Sequence, residues 1–115
     1  MSSYGKVKIN DCFIIHLETA IKRTNHVNYL KKKIPQKVSV IPAVDGKKLN
    51  KEELRYYKPN ILCPTYPFKL KAAEIATFLS HRVCWQKIID DGLDGALIIE
   101  DDVRIDNAFF SYHFE

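Results

Sequence analysis

Apolar positions along the first 45 residues change their spacing, and each change marks an element. "CFIIHL" (12–17) is a short apolar run that reads as a buried first strand. "AIKRTNHVNYLKKKI" (20–34) then sets Ile21, Val27, Leu30 and Ile34 at near-helical spacing. Pro35, which lacks an N–H and clashes with the preceding turn, stops that helix. "KVSVIPAV" (37–44) alternates as a second strand does and runs into "DGKK", a turn signal. Strand, helix, strand in this order predicts a parallel crossover unit.

Residues 49–68 hold Pro59, Pro64 and Pro67 among tyrosines, which predicts a short helix near "NKEELRYY" followed by an irregular loop. From Ala72 to Asp91 the spacing is helical again, with Ile75, Phe78, Leu79, Val83, Gln86 and Ile89 on one face and Gly92 just past the end. "ALII" (96–99) predicts a short strand, expected to be the central one because it is so apolar. The fold class is α/β, with a mostly parallel sheet flanked by helices. No repeat or low-complexity tract interrupts it.

Composition adds limits. The chain has 115 residues, of which 46% are apolar, enough for the core of one small domain. Its unbroken apolar runs are far below the roughly 20 residues of a membrane-spanning helix, and "MSSYGKVKIN" lacks the apolar segment of a secretory signal. A cytoplasmic protein is the expectation. Cys12, Cys63 and Cys84 are odd in number and widely spaced, which argues against a disulfide framework or a CxxC metal site and for reduced, mostly buried thiols.

Charge divides the chain. Residues 1–60 carry 13 Lys or Arg against 5 Asp or Glu, and residues 61–115 carry 5 against 9, so a basic surface beside an acidic site is expected. The densest basic run, Lys31, Lys32 and Lys33, suits a helix C-terminus, where cations complement the dipole; it would also attract anionic lipid headgroups. No nucleic-acid-binding motif accompanies it, and nucleic acid is not an expected partner.

The acidic half ends in "ALIIEDDVRID" (96–106), four apolar residues leading straight into Glu100, Asp101 and Asp102. In open α/β sheets, ligands bind beyond the carboxyl ends of the strands, so these carboxylates are placed to face a crevice. Two such charges about 4 Å apart repel by roughly 4 kcal/mol at an effective dielectric near 20, and they protonate, separate or share a cation. Hard divalent ions take such oxygens. On an extended segment Glu100 and Asp102 point one way and Asp101 the other, an assignment that a turn would change. A solvated turn, a helix cap or an ion pair with Arg104 would use the same triplet without any ligand. Receiver domains also place acidic pairs after a strand, but at their first strand, which excludes them here.

"EIATFLSHRVCWQKIIDDGLDGALIIEDDVRID" (74–106) resembles the segment of glycosyltransferase family 25 in which a helix carrying Glu-Ile and Leu-Ser-His leads to a strand ending Glu-Asp-Asp-Val. "IIHLETAIKR" (14–23) is similar to the family's first strand and the Arg that follows it, and "IPAVDGKKL" (41–49) to its second strand and turn. The family comprises lipooligosaccharide sugar transferases and collagen-modifying relatives. The resemblance implies a GT-A type, Rossmann-like nucleotide-sugar fold, with residues 1–115 as one domain, the donor-binding N-terminal half of such an enzyme. It implies metal-assisted, inverting transfer of a hexose, galactose by family analogy, from a UDP-sugar to a hydroxyl of a lipooligosaccharide or lipopolysaccharide acceptor. The expected location stays cytoplasmic, with the inner face of the inner membrane as the alternative, peripheral placement.

By position in those motifs, Glu100 and Asp102 are the expected ligands of Mn²⁺ or Mg²⁺, and His16, Arg23, Asp45 and Asp101 the expected donor-binding residues. Asp45 in "DG" equally suits a tight turn, and Arg23 a solvated helix. The general base is not identifiable; His81, in "LSH", is the nearest candidate, although a mid-helix His beside Phe78 and Trp85 also suits packing. Trp85 is expected in the core. Two departures stand out: His16 replaces the family's usual Asn, and the helix beginning at Ala72 has no good N-cap. Family catalytic domains are also longer than this chain, so a catalytically inactive module that binds nucleotide sugar or a membrane surface is the alternative reading.

Overall fold

The computed structural model describes residues 9–50, 71–106 and 108. The helix and loop expected between residues 49 and 68 fall almost entirely outside them, as does Cys63. The elements run β1 (Asp11–His16), α1 (Thr24–Lys33), β2 (Lys37–Pro42), α2 (Ala72–Asp90) and β3 (Leu97–Glu100). One-turn 3₁₀ helices at Ile21–Arg23 and Gly46–Lys48 sit before α1 and after β2. All pairings are parallel and the strand order is β2-β1-β3.

The sheet is covered on both faces, which accounts for the unbroken apolar run of β1. Cys12 and Ile14 point to one side, where α1 supplies Val27 and Leu30 and Ile34 follows at its end. Phe13 and Ile15 point to the other, against Ile41 and Cys84 of α2. Alternation along a strand separates the two sets. Burying a side chain such as Phe13 or Ile14 contributes about 1.5–3 kcal/mol. The result is an α/β arrangement of Rossmann-like, GT-A type, as the resemblance implies.

Three expectations are corrected. The central strand is β1, not "ALII": β1 is hydrogen-bonded on both sides and fully buried over Cys12–Ile15, whereas β3 pairs on one side among the described residues and is only half-buried. Ile21 does not join the α1 stripe; it lies in the 3₁₀ turn and is 78% exposed. The α2 face is also rotated from the expected one. Ile75, Ala76, Ser80 and Cys84 are buried, while Phe78, Val83, Ile89 and Trp85 are exposed. Small side chains at positions 76, 80 and 84 let the helix lie close to the sheet, so the bulky residues stay outside. There Phe78 and Trp85 pack edge to face, with ring centroids 5.9 Å apart.

The ends of α2 differ in how they are closed. At its start the Glu74 carboxylate accepts the backbone N–H of Lys71 at 3.0 Å, and the Lys71 side chain makes no cap, as the missing N-cap residue leads one to expect. At its end Gly92, with φ of 65°, donates to the Ile89 carbonyl, and Leu93 N–H donates to that of Ile88. This is a Schellman closure, and Ile88 and Leu93 pack against the same core cluster.

Candidate functional site

Register brings the acidic triplet to β1. Ile15 lies opposite Glu100, and one step further the Asp101 N–H donates to the Ile15 carbonyl at 3.0 Å. His16, the last residue of β1, and Asp101 are therefore neighbours. Beyond β1 the chain folds back through Ala20 N–H to Leu17 O and Arg23 N–H to Ala20 O, which carries Arg23 over the same strand end. The strand itself stops at Glu100, and Val103 N–H donates to the Glu100 carbonyl to close a turn. His26 Nε2 donates to the Val103 carbonyl, tying α1 to the segment after that turn.

Asp101 is 4% exposed, and both of its carboxylate oxygens are taken. His16 Nδ1 lies 2.7 Å from Oδ2 and Arg23 Nη1 donates to Oδ1 at 2.9 Å. Because a carboxylate only accepts, the proton of the His16–Asp101 bond sits on Nδ1. A buried charge with two such partners is compensated; with neither it would be costly. The Arg23 guanidinium is held above its ordinary pKa, first by the hydrogen bond to Asp101, then by that residue's charge, against some desolvation, with smaller contributions from Asp102 and Glu100. The positive charge at the mouth of the site is therefore permanent. Glu100 and Asp102 flank Asp101 and are exposed.

These groups line a cleft of about 560 Å³ at the carboxyl ends of the three strands. Ile15, Leu17 and Arg23 form one wall and Glu100, Asp101 and Asp102 a second. A third comes from Ala43–Lys47, and the fourth from the first turns of α2, with Ala72, Ala73, Ala76, Thr77 and Ser80. Gly46 seats the third wall on the fourth: a Cβ there would lie 2.9 Å from the Ala72 carbonyl oxygen. Ser80 fastens the same two walls, because its Oγ accepts the Val44 N–H at 2.9 Å and donates to the Ala76 carbonyl at 2.8 Å.

The sequence pattern of Glycosyltransferase family 25 (LPS biosynthesis protein) matches residues 9–113. The chain belongs to glycosyltransferase family 25. Among curated relatives, this family 25 chain is 34% identical over 109 residues to procollagen galactosyltransferase 2 of Mus musculus, covering 90% of the chain and 17% of the relative. It is 32% identical over 108 residues to a glycosyltransferase 25 family member of Drosophila pseudoobscura pseudoobscura, again 90% of the chain and 17% of the relative. To inactive glycosyltransferase 25 family member 3 of Mus musculus it is 29% identical over 110 residues, 91% of the chain and 18% of the relative. The chain thus spans less than a fifth of the length of these relatives.

Within the family 25 chain the cleft gathers Arg23, Asp45, Glu100, Asp101 and Asp102 from three separate segments. His16 is adjacent through its bond to Asp101. Asp45 also caps its own turn, accepting the Lys47 N–H at 3.0 Å. His81 does not line the cleft; its ring packs beside Trp85 at 6.5 Å. Among the described residues, no three His, Cys, Asp or Glu side chains converge as a metal-binding group. Glu100 and Asp102 nevertheless fit a Mg²⁺ or Mn²⁺ ion by their chemistry, since such ions are commonly held by one or two carboxylates together with substrate phosphates and water. Asp101, 4% exposed, is turned instead to His16 and Arg23. Sequence reasoning missed Gly46 and the Ala-rich start of α2 as cleft walls. Their signal was smallness, in "DG" and "AAEIA", rather than chemistry. No helix among the described residues is long and apolar enough to cross a membrane.

Proposed function

We propose that the cleft binds a UDP-sugar, and that the chain is the donor-binding part of an enzyme transferring galactose to an acceptor hydroxyl with inversion. One observation carries the reading: a fixed cation, Arg23, and two exposed carboxylates, Glu100 and Asp102, share the carboxyl end of a parallel sheet in a family 25 chain. In this reading Arg23 meets the diphosphate and Asp45 the ribose or base, while His16 acts through Asp101. Glu100 and Asp102 would hold Mn²⁺ or Mg²⁺, which when bound would neutralise the charge on the departing diphosphate. Exposed carboxylates and a permanent guanidinium side by side offer partners to both halves of a metal–diphosphate pair, the cation and the anion.

The sequence alone led to a glycolipid acceptor, a cytoplasmic location and Lys31–Lys33 facing anionic lipid. The family's own description speaks of lipopolysaccharide, but a relative 34% identical over 90% of the chain is named for procollagen. That relative favours a protein hydroxyl, and glycosyl transfer from UDP-galactose to the two acceptor classes in parallel decides between them. A second reading, binding of nucleotide sugar without transfer, is favoured by the similarity to a relative named inactive.

The test is titration calorimetry with UDP, with and without Mn²⁺, on the wild-type chain and on Asp102→Asn. Binding that requires Mn²⁺ and weakens at least tenfold in Asp102→Asn is the expected result. Equal UDP affinity in both proteins, or affinity indifferent to Mn²⁺ and its chelation, would remove the metal from the site. UDP-galactose turnover separates transfer from binding alone.

A further inference from the structure

We infer that Asp101 is a positioning residue: it touches no ligand itself, but fixes the Arg23 guanidinium over the cleft for the anionic part of the donor. The inference rests on the donor reading above and assigns Asp101 a part different from the one its neighbours in the triplet play.

The geometry separates the three acidic residues. Glu100 and Asp102 are exposed, whereas Asp101 is 4% exposed and spends both oxygens on partners from the other end of the chain. Arg23 is built the opposite way. Its side chain is 52% exposed and its fork lies in the cleft wall, with one nitrogen on Asp101. A guanidinium has five N–H donors in a rigid plane, so a bond through Nη1 orients the plane and leaves most donors for an incoming oxyanion. Without that bond, a long side chain on a one-turn 3₁₀ helix would sample many rotamers, and ordering it on binding would cost affinity. His16 completes the device. By holding Oδ2 at 2.7 Å it leaves Oδ1 for Arg23, which an unanchored carboxylate would not do reproducibly.

The effect should depend on the ligand's charge, which a general loosening of the fold would not. Affinities for UDP and for uridine are measured on the wild-type chain, Asp101→Asn, Arg23→Gln and the double variant, by calorimetry in Mn²⁺ for UDP and ligand-observed NMR for uridine. The expected result is a loss of about tenfold or more for UDP in each single variant, no further loss in the double, and unchanged uridine affinity throughout. A proportional loss for UDP and uridine in Asp101→Asn would make the residue structural and overturn the inference. So would a UDP loss in Asp101→Asn that adds to that of Arg23→Gln. If Asp101→Asn does not fold, Asp101→Glu replaces it: the charge stays, the guanidinium is displaced by one methylene, and the same selective loss is required. A wild-type chain that binds no UDP would sink the donor reading itself; a wild-type chain that binds UDP while the two residues act independently would sink this inference alone.

Discussion

At Cys12 the thiol is fully enclosed between β1 and α1, and burial pushes its pKa from 9.0 up to about 12. Cys84, enclosed on the other face, is raised for the same reason. The folded state therefore keeps protons that the unfolded chain releases, beginning near pH 9. The stabilisation is fully present below pH 9 and is lost as pH rises toward 12. Urea denaturation should show stability falling in that window by up to about 1.4 kcal/mol per pH unit for the Cys12 thiol. Cys12→Ala should fall less steeply than wild type, and equal slopes would refute the burial account. That these cysteines are buried could be read from composition and spacing. The division of labour within Glu100, Asp101 and Asp102 could not. The partners that single out Asp101 lie 85 and 78 residues away, and no local pattern encodes them.

Two glycines separate the closure of an element from the joining of two. Gly92 has φ of 65° and open space where a Cβ would go, so Gly92→Ala should cost about 1–2 kcal/mol from left-handed strain and leave UDP affinity unchanged. Gly46 has the reverse problem. A methyl group there meets the Ala72 carbonyl oxygen and carbon at 2.9 and 3.1 Å, and backbone cannot swing aside as a side chain can. Gly46→Ala should cost about 1–3 kcal/mol in denaturation and also weaken UDP binding, because two cleft walls must part. Unchanged UDP affinity in Gly46→Ala would disconnect that seam from the site. Elements whose signals are local were legible: the α1 stop at Pro35, the glycine beyond α2, the turn after β2. The buried face of α2 was not. Hydropathy is carried by large side chains, whereas this helix packs through Ala76, Ser80 and Cys84, and Trp85 is left 47% exposed.

Across the described residues, the parallel order β2-β1-β3 places β1 in the middle and β3 at its side. Sequence could announce the α/β class, because strand and helix periods alternate. It could not say which strand is central, because "CFII" and "ALII" are equally apolar and only pairing distinguishes them. That arrangement has a kinetic consequence. Loop-closure entropy must be overcome across most of the chain before β3 adds its hydrogen bonds, so folding should be slow for a domain of this size and dominated by one late event. During synthesis β1 waits with one edge open until Leu97–Glu100 has left the ribosome, and only then do His16 and Arg23 meet Asp101. Chains arrested at Asp94 should be cleaved by protease and chains arrested well past Asp106 should resist; protection arising already at Asp94 would contradict this order. The arrival of β3 then also closes the cleft, because the acidic wall, Glu100 to Asp102, is the last of the four to be made.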